Sequence, residues 1–156
     1  MNTLKRTFII LISIVLFGSC SQKNVENGIG YTEYINAQEL EQNIVDSHAN
    51  GKGRAVVYRI KSDPTNAIVK EVHYFENGTI QVEGTLKNKQ RHGIWTFYHK
   101  NGNVWSTGEF DNGKSVGCFE IYEPDGSLKI KSYYENNKKV KEEYYKEGKL
   151  DKSVDL

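Results

Sequence analysis

Few side chains in this sequence have both the type and the spacing that metal chemistry requires. The four histidines are His48, His73, His92 and His99. None of them stands near a cysteine or carboxylate at the spacing of a metal site, where structural zinc needs four ligands and catalytic zinc needs three. His92 falls in a turn region, and His73 and His99 fall near predicted strand ends. The sequence therefore predicts no metal site and no cofactor.

Acid–base and nucleophilic chemistry are also poorly supported. Glu83 and Glu109 are the best candidates for a glycosidase pair, but such a pair must face each other across a cleft, and a narrow sheet offers little concavity. The serines do not occur in a Gly-x-Ser-x-Gly elbow, and the glycines do not form a phosphate-binding loop. We therefore expect no catalytic residues, although an envelope hydrolase remains the least favoured alternative.

The residue with the clearest chemical role is Cys20. Basic Lys5 and Arg6 precede an apolar run from Phe8 to Phe17, as in a secretory signal peptide. The run has roughly ten residues, well short of the ~20 that span a membrane as a helix. Phe17-Gly18-Ser19-Cys20 resembles the lipobox of bacterial lipoproteins, in which the cysteine is diacylated and becomes the first residue of the mature chain. The sequence thus predicts a lipoprotein signal peptide at residues 1–19 and lipidation of Cys20.

The residues after Cys20 indicate the destination and the anchor. Lipoproteins retained in the inner membrane typically carry Asp directly after the cysteine, whereas this chain has Ser21. Anchoring in the outer membrane of the bacterial envelope is therefore favoured. The acyl chains would supply the anchor, because their affinity for a membrane rises with the number of buried methylenes. Residues 20–31 are polar and contain Gly and Asn, so they are expected to form a flexible tether.

Charge and cysteine content limit the partners. Removal of residues 1–19 takes two of the 21 basic residues and none of the 20 acidic ones, which leaves 19 basic against 20 acidic side chains. This balance argues against nucleic acid as a partner. If Cys20 is acylated, Cys118 has no intramolecular partner, and it is expected to be a small packing residue in a strand.

An internal repeat organises the rest of the chain. Asn77-Gly78, Asn101-Gly102 and Asp125-Gly126 follow one another at a spacing of 24 residues, and dipeptides of this kind are strong hairpin signals because they accept positive φ. Each period contains a second turn, which begins near Asn88, Asn112 and Asn136. Two turns per period predict two strands per period. The sequence therefore predicts a mainly β fold, an elongated antiparallel meander of stacked hairpins over residues 68–156.

Alternation along these strands predicts two faces. If the loops have an even number of residues, Phe97 lies beside Val104 and Ile121 beside Leu128, which gives one apolar face. The same parity sends three tyrosines to the opposite face, with Trp105 near Tyr98. This possible binding strip consists of Tyr74, Tyr98, Trp105 and Tyr122. The alternative interpretation is that cross-strand aromatic pairs stabilise an exposed sheet.

The two ends of the repeat region differ from its middle. In the last period Lys141 replaces the repeat glycine and charged residues multiply, as expected of a terminal cap. Residues 32–67 are expected to form a helix–strand segment, in which Asn36 caps a short helix that carries Ala37, Leu40 and Ile44 at helical spacing. A strand over residues 55–60 and a loop over residues 62–64 are expected to follow.

The run Lys87 to Trp95, followed by Tyr98 and Asn101-Gly102, resembles the MORN repeat. It is most similar to the bacterial variant catalogued as a toxin–antitoxin system antitoxin component. The resemblance covers roughly residues 68–150 and implies stacked antiparallel hairpins without catalytic residues.

Together these patterns favour a lipid-anchored, non-catalytic interaction scaffold that binds an envelope protein or glycan. The alternative is an antitoxin or immunity-type binder of a toxin. These two hypotheses differ in the partner and share the fold.

Overall fold

The computed structural model describes residues 28–156, with side chains from Gly30 onward. The predicted signal peptide at 1–19 and residues 20–27 of the predicted tether lie outside the described residues. The elements, in chain order, are helix α1 (Gly28–Asn36) and strands β1 (Leu40–Ser47), β2 (Gly53–Ile60), β3 (Ile68–Tyr74), β4 (Ile80–Lys87), β5 (Gln90–Tyr98), β6 (Val104–Asp111), β7 (Lys114–Tyr122), β8 (Leu128–Glu135), β9 (Lys138–Lys146) and β10 (Lys149–Asp155).

The ten strands form one antiparallel sheet in which every strand pairs with its neighbour in sequence. This arrangement confirms the predicted mainly β fold, the meander and the presence of a short N-terminal helix. A meander of this kind needs only hairpin connections, which the recurrent turn signals of the sequence supply.

The β4–β5, β6–β7 and β8–β9 hairpins turn in two residues. In these turns both central residues have positive φ, as at Asn88 (52°) and Lys89 (64°) or Asn136 (49°) and Asn137 (70°). Such turns match the twist of the flanking strands and favour Asn and Gly, which explains the second turn signal in each period.

The β3–β4, β5–β6 and β7–β8 hairpins turn at the other ends of the strands. Five residues separate each pair of strands there, and the middle three form the loop, so the predicted even loops are wrong. In the first of them, the Phe75 N–H donates to Thr79 O at 2.8 Å, and the Gly78 N–H donates to Phe75 O at 2.8 Å. Each loop is followed by a one-residue bulge: Tyr98 pairs with Val104 but Phe97 pairs with Ser106. Because the bulge adds one residue to the strand, the residues beyond it face the side of the sheet that they would face after a loop with an even number of residues. The alternation of apolar and polar residues does not reveal such a bulge.

The predicted helix at Asn36 and beyond is also misplaced. Helix α1 ends at Asn36, begins at Gly28 within the predicted tether, and is followed by strand β1. Leu40 and Ile44 pair with Ile60 and Val56 of β2. A spacing of four residues places two side chains on one face of a helix and equally on one face of a strand, so the pattern fits both. Pairing with β2 decides in favour of the strand. The strand and the loop predicted for residues 55–64 are confirmed.

Successive repeats pack through glycine–aromatic pairs. Trp95 lies opposite Gly84, and a Cβ on that glycine would stand 2.2 Å from the indole ring. Phe119 lies against Gly108 at the same distance. At the third equivalent position Ser132 pairs with Glu142, which is not aromatic, so a side chain is tolerated there. The repeat glycines of β4 and β6 are therefore required by close packing.

Each of the first two repeats also contains a wide bulge. The five residues Arg91–Trp95 of β5 lie opposite only three residues of β4, Gly84–Leu86, and Gly93 takes a φ of 87°. Gly117 plays the same part in β7 with a φ of 66°. Such an insertion increases strand bending and twist. The equivalent residue of β9 is Lys141, which does not have positive φ, and there the irregularity is shorter.

The sheet has two chemically different faces. The aromatic face carries Val82, Leu86, Trp95, Phe97, Phe110, Phe119 and Tyr134. Its centre is Trp95, which is fully buried, and the Arg91 guanidinium lies 4.2 Å from the centroid of the indole ring. The polar face carries a row of residues that pair successively across β4 to β9: Glu83, Thr96, Thr107, Glu120, Lys131 and Glu143.

Candidate functional site

The three glutamates of the polar row, Glu83, Glu120 and Glu143, are each held by tyrosine and lysine side chains. Glu83 accepts a hydrogen bond from the Tyr98 hydroxyl at 2.8 Å, and its other oxygen lies 3.2 Å from Lys70 Nζ. Glu120 has the same arrangement with Tyr122 at 2.6 Å and Lys131 at 2.9 Å.

A third group completes the series on β8 and β9. Glu143 accepts from Tyr133 at 2.9 Å, Tyr145 at 3.0 Å and Lys141 at 2.6 Å. The polar row is thus a pre-organised set of donors and acceptors in which each of these three carboxylates stands close to an ammonium group.

The ionisation of this face is suited to binding rather than to proton transfer. Burial, followed by the hydrogen bond to Glu83, raises the pKa of Tyr98 well above its ordinary value. Burial and Glu120 do the same to the pKa of Tyr122, and burial with Glu143 raises the pKa of Tyr133 to about 12. The hydrogen bond from Lys141 is the main cause that lowers the pKa of Glu143. At neutral pH the phenols therefore stay protonated donors, and Glu143 stays an ionised acceptor.

Helix α1 covers part of the polar face and creates a cleft there. The cleft has a volume of about 300 Å³, and its lining residues are Thr32, Asn36, Lys70, Glu83, Thr85, Ile94 and Thr96. Two of the lining residues belong to the helix and five to strands β3, β4 and β5. The cleft therefore exists only because the helix is docked on this face.

A chain of hydrogen bonds fixes the helix at the wide bulge of β5. The Ile94 N–H donates to Thr32 Oγ1 at 2.9 Å, and Thr32 Oγ1 lies 3.1 Å from Thr85 Oγ1. The Thr85 hydroxyl donates to the carbonyl of His92. Thr32 thus supplies a partner to a backbone N–H that the bulge turns away from the regular ladder, which removes the cost of burying an unpaired donor.

Tyr31 adds a second attachment for the helix. Its hydroxyl donates to Leu86 O at 2.8 Å, and its ring meets the His92 imidazole edge-on with centroids 4.7 Å apart. Burial is the main cause that lowers the pKa of His92, with the positive charge of Lys87 second. A neutral imidazole can pack against a tyrosine ring and still accept the Asn112 N–H at 3.3 Å.

The predicted strip of Tyr74, Tyr98, Trp105 and Tyr122 is divided between the two faces. The hydroxyls of Tyr98 and Tyr122 donate to Glu83 and Glu120 on the polar face, and Tyr74 lies close to Tyr58, Glu83 and Lys70 on the same face. The bulge in β6 turns Trp105 to the aromatic face, where its ring centroid lies 6.2 Å from that of Phe97. The position of Trp105 beside Tyr98 was therefore wrongly predicted, because alternation does not count the bulged residue.

Trp105 is nevertheless exposed. About half of its surface, 48%, is accessible, and His99 flanks it on the other side with a ring-centroid distance of 6.5 Å. Among the large apolar side chains that remain exposed, it is the aromatic one nearest the middle of the sheet.

The remaining polar candidates have structural contacts. His48 Nε2 lies 2.9 Å from Tyr74 O, and His99 Nε2 lies 3.1 Å from Tyr122 O, so both rings tie neighbouring hairpins together. Within residues 28–156 there is no group of three or more His, Cys, Asp or Glu side chains that could hold a metal ion.

Glu109 differs from Glu83, with which it was considered as a pair. It is buried, its Oε1 has no hydrogen-bond partner, and burial followed by the charge of Asp111 raises its pKa. Strand β5 separates the strands that carry the two glutamates.

Cys118 lies in strand β7, where it is half-buried and its Sγ lies 3.9 Å from Phe119 O. The position suits a small packing residue, and Cys20 lies outside the described residues.

The cleft and the tyrosine–glutamate–lysine groups were missed by sequence reasoning. Glu83 was considered only as an acid catalyst, and Lys70 and Thr32 were not singled out. The one available signal was the placement of Glu, Lys and Tyr at alternate positions of neighbouring strands. The cleft itself depends on contacts between residues more than 50 positions apart, such as Thr32 and Thr85.

Comparison with known proteins supports the repeat assignment. Residues 69–88, 91–112 and 115–136 match the MORN repeat variant. No curated protein matches the chain. Among solved structures, the chain is similar to a chain in the structure described as the Glycosylation Associate Protein (Gap123) complex from Streptococcus agalactiae, with 15% sequence identity and a TM-score of 0.42. The similarity covers 74% of this chain and 23% of the other. In the part of the chain that the structure describes, no helix has the length and apolarity to cross a membrane. Three consecutive segments of this chain are thus similar to the MORN repeat variant.

Proposed function

We propose that this protein is a lipid-anchored, non-catalytic binding scaffold of the bacterial cell envelope, whose polar face contacts a protein or a glycan. The observation that carries this proposal is the row of tyrosine–glutamate–lysine groups on one face of a continuous sheet. Tyrosines with an apolar ring and a donor hydroxyl are common at binding surfaces because they contribute contact area at low conformational cost.

The pairing of charges on this face also favours binding of a large partner. Lys131 and Glu120 retain only 11% and 15% of their side-chain exposure, so most of the water around both charges is already removed in the free protein, and a partner need not remove it. A surface ordered in this way loses little conformational entropy when a partner arrives. Chemistry, by contrast, would need a group poised to gain or lose a proton near neutral pH, and the raised pKa of the tyrosines makes them unsuitable.

The envelope location rests on the N-terminal sequence. Lipidation of Cys20 would leave the sheet close to the membrane surface, with outer-membrane sorting favoured by Ser21. The antitoxin alternative shares the fold and differs in the partner, so identification of the captured molecule decides between the two.

The two faces can be tested separately. The full chain, affinity-tagged at its C terminus and expressed in its host, is solubilised in mild detergent, and the co-purified material is identified. We expect Tyr98→Ser with Tyr122→Ser to abolish capture, and Trp105→Ser, on the opposite face, to leave it unchanged. Thermal unfolding of each variant checks that the fold is retained. Loss of capture in Trp105→Ser alone would assign binding to the aromatic face, and a captured cytoplasmic toxin would favour the antitoxin alternative.

A further inference from the structure

The cleft beneath helix α1 has a lining that can bind a small ligand. Its central feature is the Lys70–Glu83 ion pair, with 3.2 Å between Nζ and Oε2 and with 21% and 28% of the two side chains exposed. Both groups are therefore within reach of a ligand and already partly dehydrated. The Tyr98 hydroxyl holds the other oxygen of Glu83 at 2.8 Å, so the carboxylate has a fixed orientation.

The charges of the lining exclude simple ions as ligands. One ammonium and one carboxylate cancel, and the rest of the lining is three threonines, one asparagine and one isoleucine. An anion would have to displace Glu83 from Lys70, and a cation would have to displace Lys70 from Glu83. Either exchange gives up an ion pair that the fold already supplies.

A hydroxyl group fits between the same two charges without breaking the pair. It accepts a hydrogen bond from the Lys70 ammonium and donates one to the Glu83 carboxylate, because a hydroxyl has one donor and two acceptor sites. The Thr96 hydroxyl has only a long contact of 3.4 Å with Thr107 Oγ1, and the Asn36 side chain is exposed. These groups can serve further hydroxyls of the same ligand, which points to a neutral polyhydroxylated molecule.

Apolar surface and size narrow the class further. Ile94 supplies an apolar patch in the lining, and Lys70 Nζ lies 6.0 Å from the centroid of the Tyr58 ring beside the cleft. A saccharide ring combines hydroxyl edges with C–H surfaces and matches such a mixture. The volume of about 300 Å³ lies at the lower end of the ~300–1,000 Å³ that is usual for ligand pockets. The cleft therefore suits a single sugar residue rather than a large cofactor.

We propose that the cleft between helix α1 and strands β3–β5 binds one neutral sugar residue of an envelope glycan. This inference rests on the proposed binding function and names its ligand class. Glu83 and Lys70 orient one hydroxyl, and Thr96 and Asn36 contact others.

The molecule contains a matched control for this site. Glu142 likewise has a tyrosine and a lysine partner, Tyr144 and Lys139, but it is not part of the cleft lining. It lies on the aromatic face, because it pairs with Ser132, which pairs with Phe119. Glu83→Gln and Glu142→Gln therefore remove the same charge from similar surroundings, and only the first removes it from the cleft and the polar face. Thr96→Val, which loses one hydroxyl and keeps the side-chain volume, serves as a second cleft variant.

The test is isothermal titration calorimetry on the full chain in mild detergent, with hexa-N-acetylchitohexaose and maltohexaose as neutral probes and hexagalacturonate as the anionic probe. We expect a neutral oligosaccharide to bind with little dependence on salt. Glu83→Gln should weaken its binding about tenfold or more, because a hydrogen bond to a charged group is lost. Thr96→Val should weaken it by a smaller factor, and Glu142→Gln should leave it unchanged.

Three results would overturn the assignment: no binding of either neutral probe, binding of hexagalacturonate alone, or equal losses in Glu83→Gln and Glu142→Gln. The outcome is separable from the proposed function. If the neutral probes do not bind the unchanged protein, but Glu83→Gln and Thr96→Val still capture an envelope partner through the polar face, the cleft assignment fails and the scaffold function stands. If nothing is captured by either face, the scaffold function itself fails.

Discussion

The glycine–aromatic pairs between strands lead to a quantitative prediction for Gly84→Ala. A Cβ at position 84 would stand 2.2 Å from Cδ2 and 2.4 Å from Cε2 of Trp95. The indole has little freedom to withdraw, because it is fully buried and its N–H donates to Thr85 O at 2.9 Å. The Arg91 guanidinium also covers the ring at 4.2 Å. Either the ring or strand β4 must shift to admit the methyl group.

The expected change in the free energy of unfolding is the cost of the added methyl group in the folded state minus the gain from restricting the unfolded chain. Overpacking of a close-packed core costs about 1–3 kcal/mol, and displacement of the indole N–H from its acceptor adds about 1 kcal/mol. The φ of Gly84 lies outside the left-handed region, so alanine recovers about 0.4–1 kcal/mol through the unfolded state. We therefore expect Gly84→Ala to lower the free energy of unfolding by about 2 kcal/mol, which corresponds to a fall in Tm on the order of 5–10 °C.

The assay is urea unfolding followed by far-ultraviolet circular dichroism, with a double-mutant cycle. Because Trp95→Ala removes the ring that the methyl group would meet, Gly84→Ala should cost nothing further in the Trp95→Ala background. Ser132 is the repeat counterpart of Gly84, and its hydroxyl donates to Glu142 at 3.1 Å, so Ser132→Ala should cost about 1–3 kcal/mol through the lost hydrogen bond. Because no ring is involved, this cost should be the same in the Trp95→Ala background. A neutral Gly84→Ala, or additive costs of Gly84→Ala and Trp95→Ala, would refute the packing argument.

Four further predictions follow from individual residues. Glu109→Gln should raise the unfolding free energy by about 1–2 kcal/mol at pH 8. Burial raises the pKa of Glu109, so the ionised carboxylate destabilises the folded protein above that pKa, and this effect vanishes as the pH falls towards the ordinary value of 4.5. If the variant is still more stable at that low pH, burial of the charge is not the cause. Thr32→Val should cost about 1–3 kcal/mol and speed hydrogen exchange in helix α1, whereas unchanged exchange would mean that the hydroxyl does not dock the helix. Asn101→Asp keeps the bond inside its turn but loses the donor to the next turn, so it should cost about 0.5–1.5 kcal/mol in a thermal melt. Intact-mass analysis of the envelope protein should find residues 1–19 removed and Cys20 lipidated, and Cys20 in a disulfide with Cys118 would contradict the lipid anchor.

Features repeated within the sequence were predictable, because a local signal was seen several times. The turns at Gly78, Gly102 and Gly126 all occur, each with positive φ. Pro124 occupies the second position of its turn, which the Gly126 N–H closes on Glu123 O at 2.9 Å, as its fixed φ favours. Repetition therefore defined the meander well.

Features that depend on a single inserted residue or on distant contacts were not predictable. The bulge at Trp105 reverses the face of one side chain, and alternation has no means of locating it. The helical spacing of Leu40 and Ile44 fits a strand equally well. Thr32 and Thr85 meet only because helix α1 crosses the sheet, and no local pattern predicts their contact.

The claim that the polar face is the binding surface can be tested directly on strand β6. Thr107 and Ser106 are adjacent and half-buried, and they face opposite sides of the sheet, since Thr107 pairs with Glu120 and Ser106 with Ile121. A photo-cross-linking amino acid is introduced at each position in turn, and intact cells are irradiated. We predict a higher-mass adduct from position 107 and none from position 106. An adduct from position 106 alone would contradict the account.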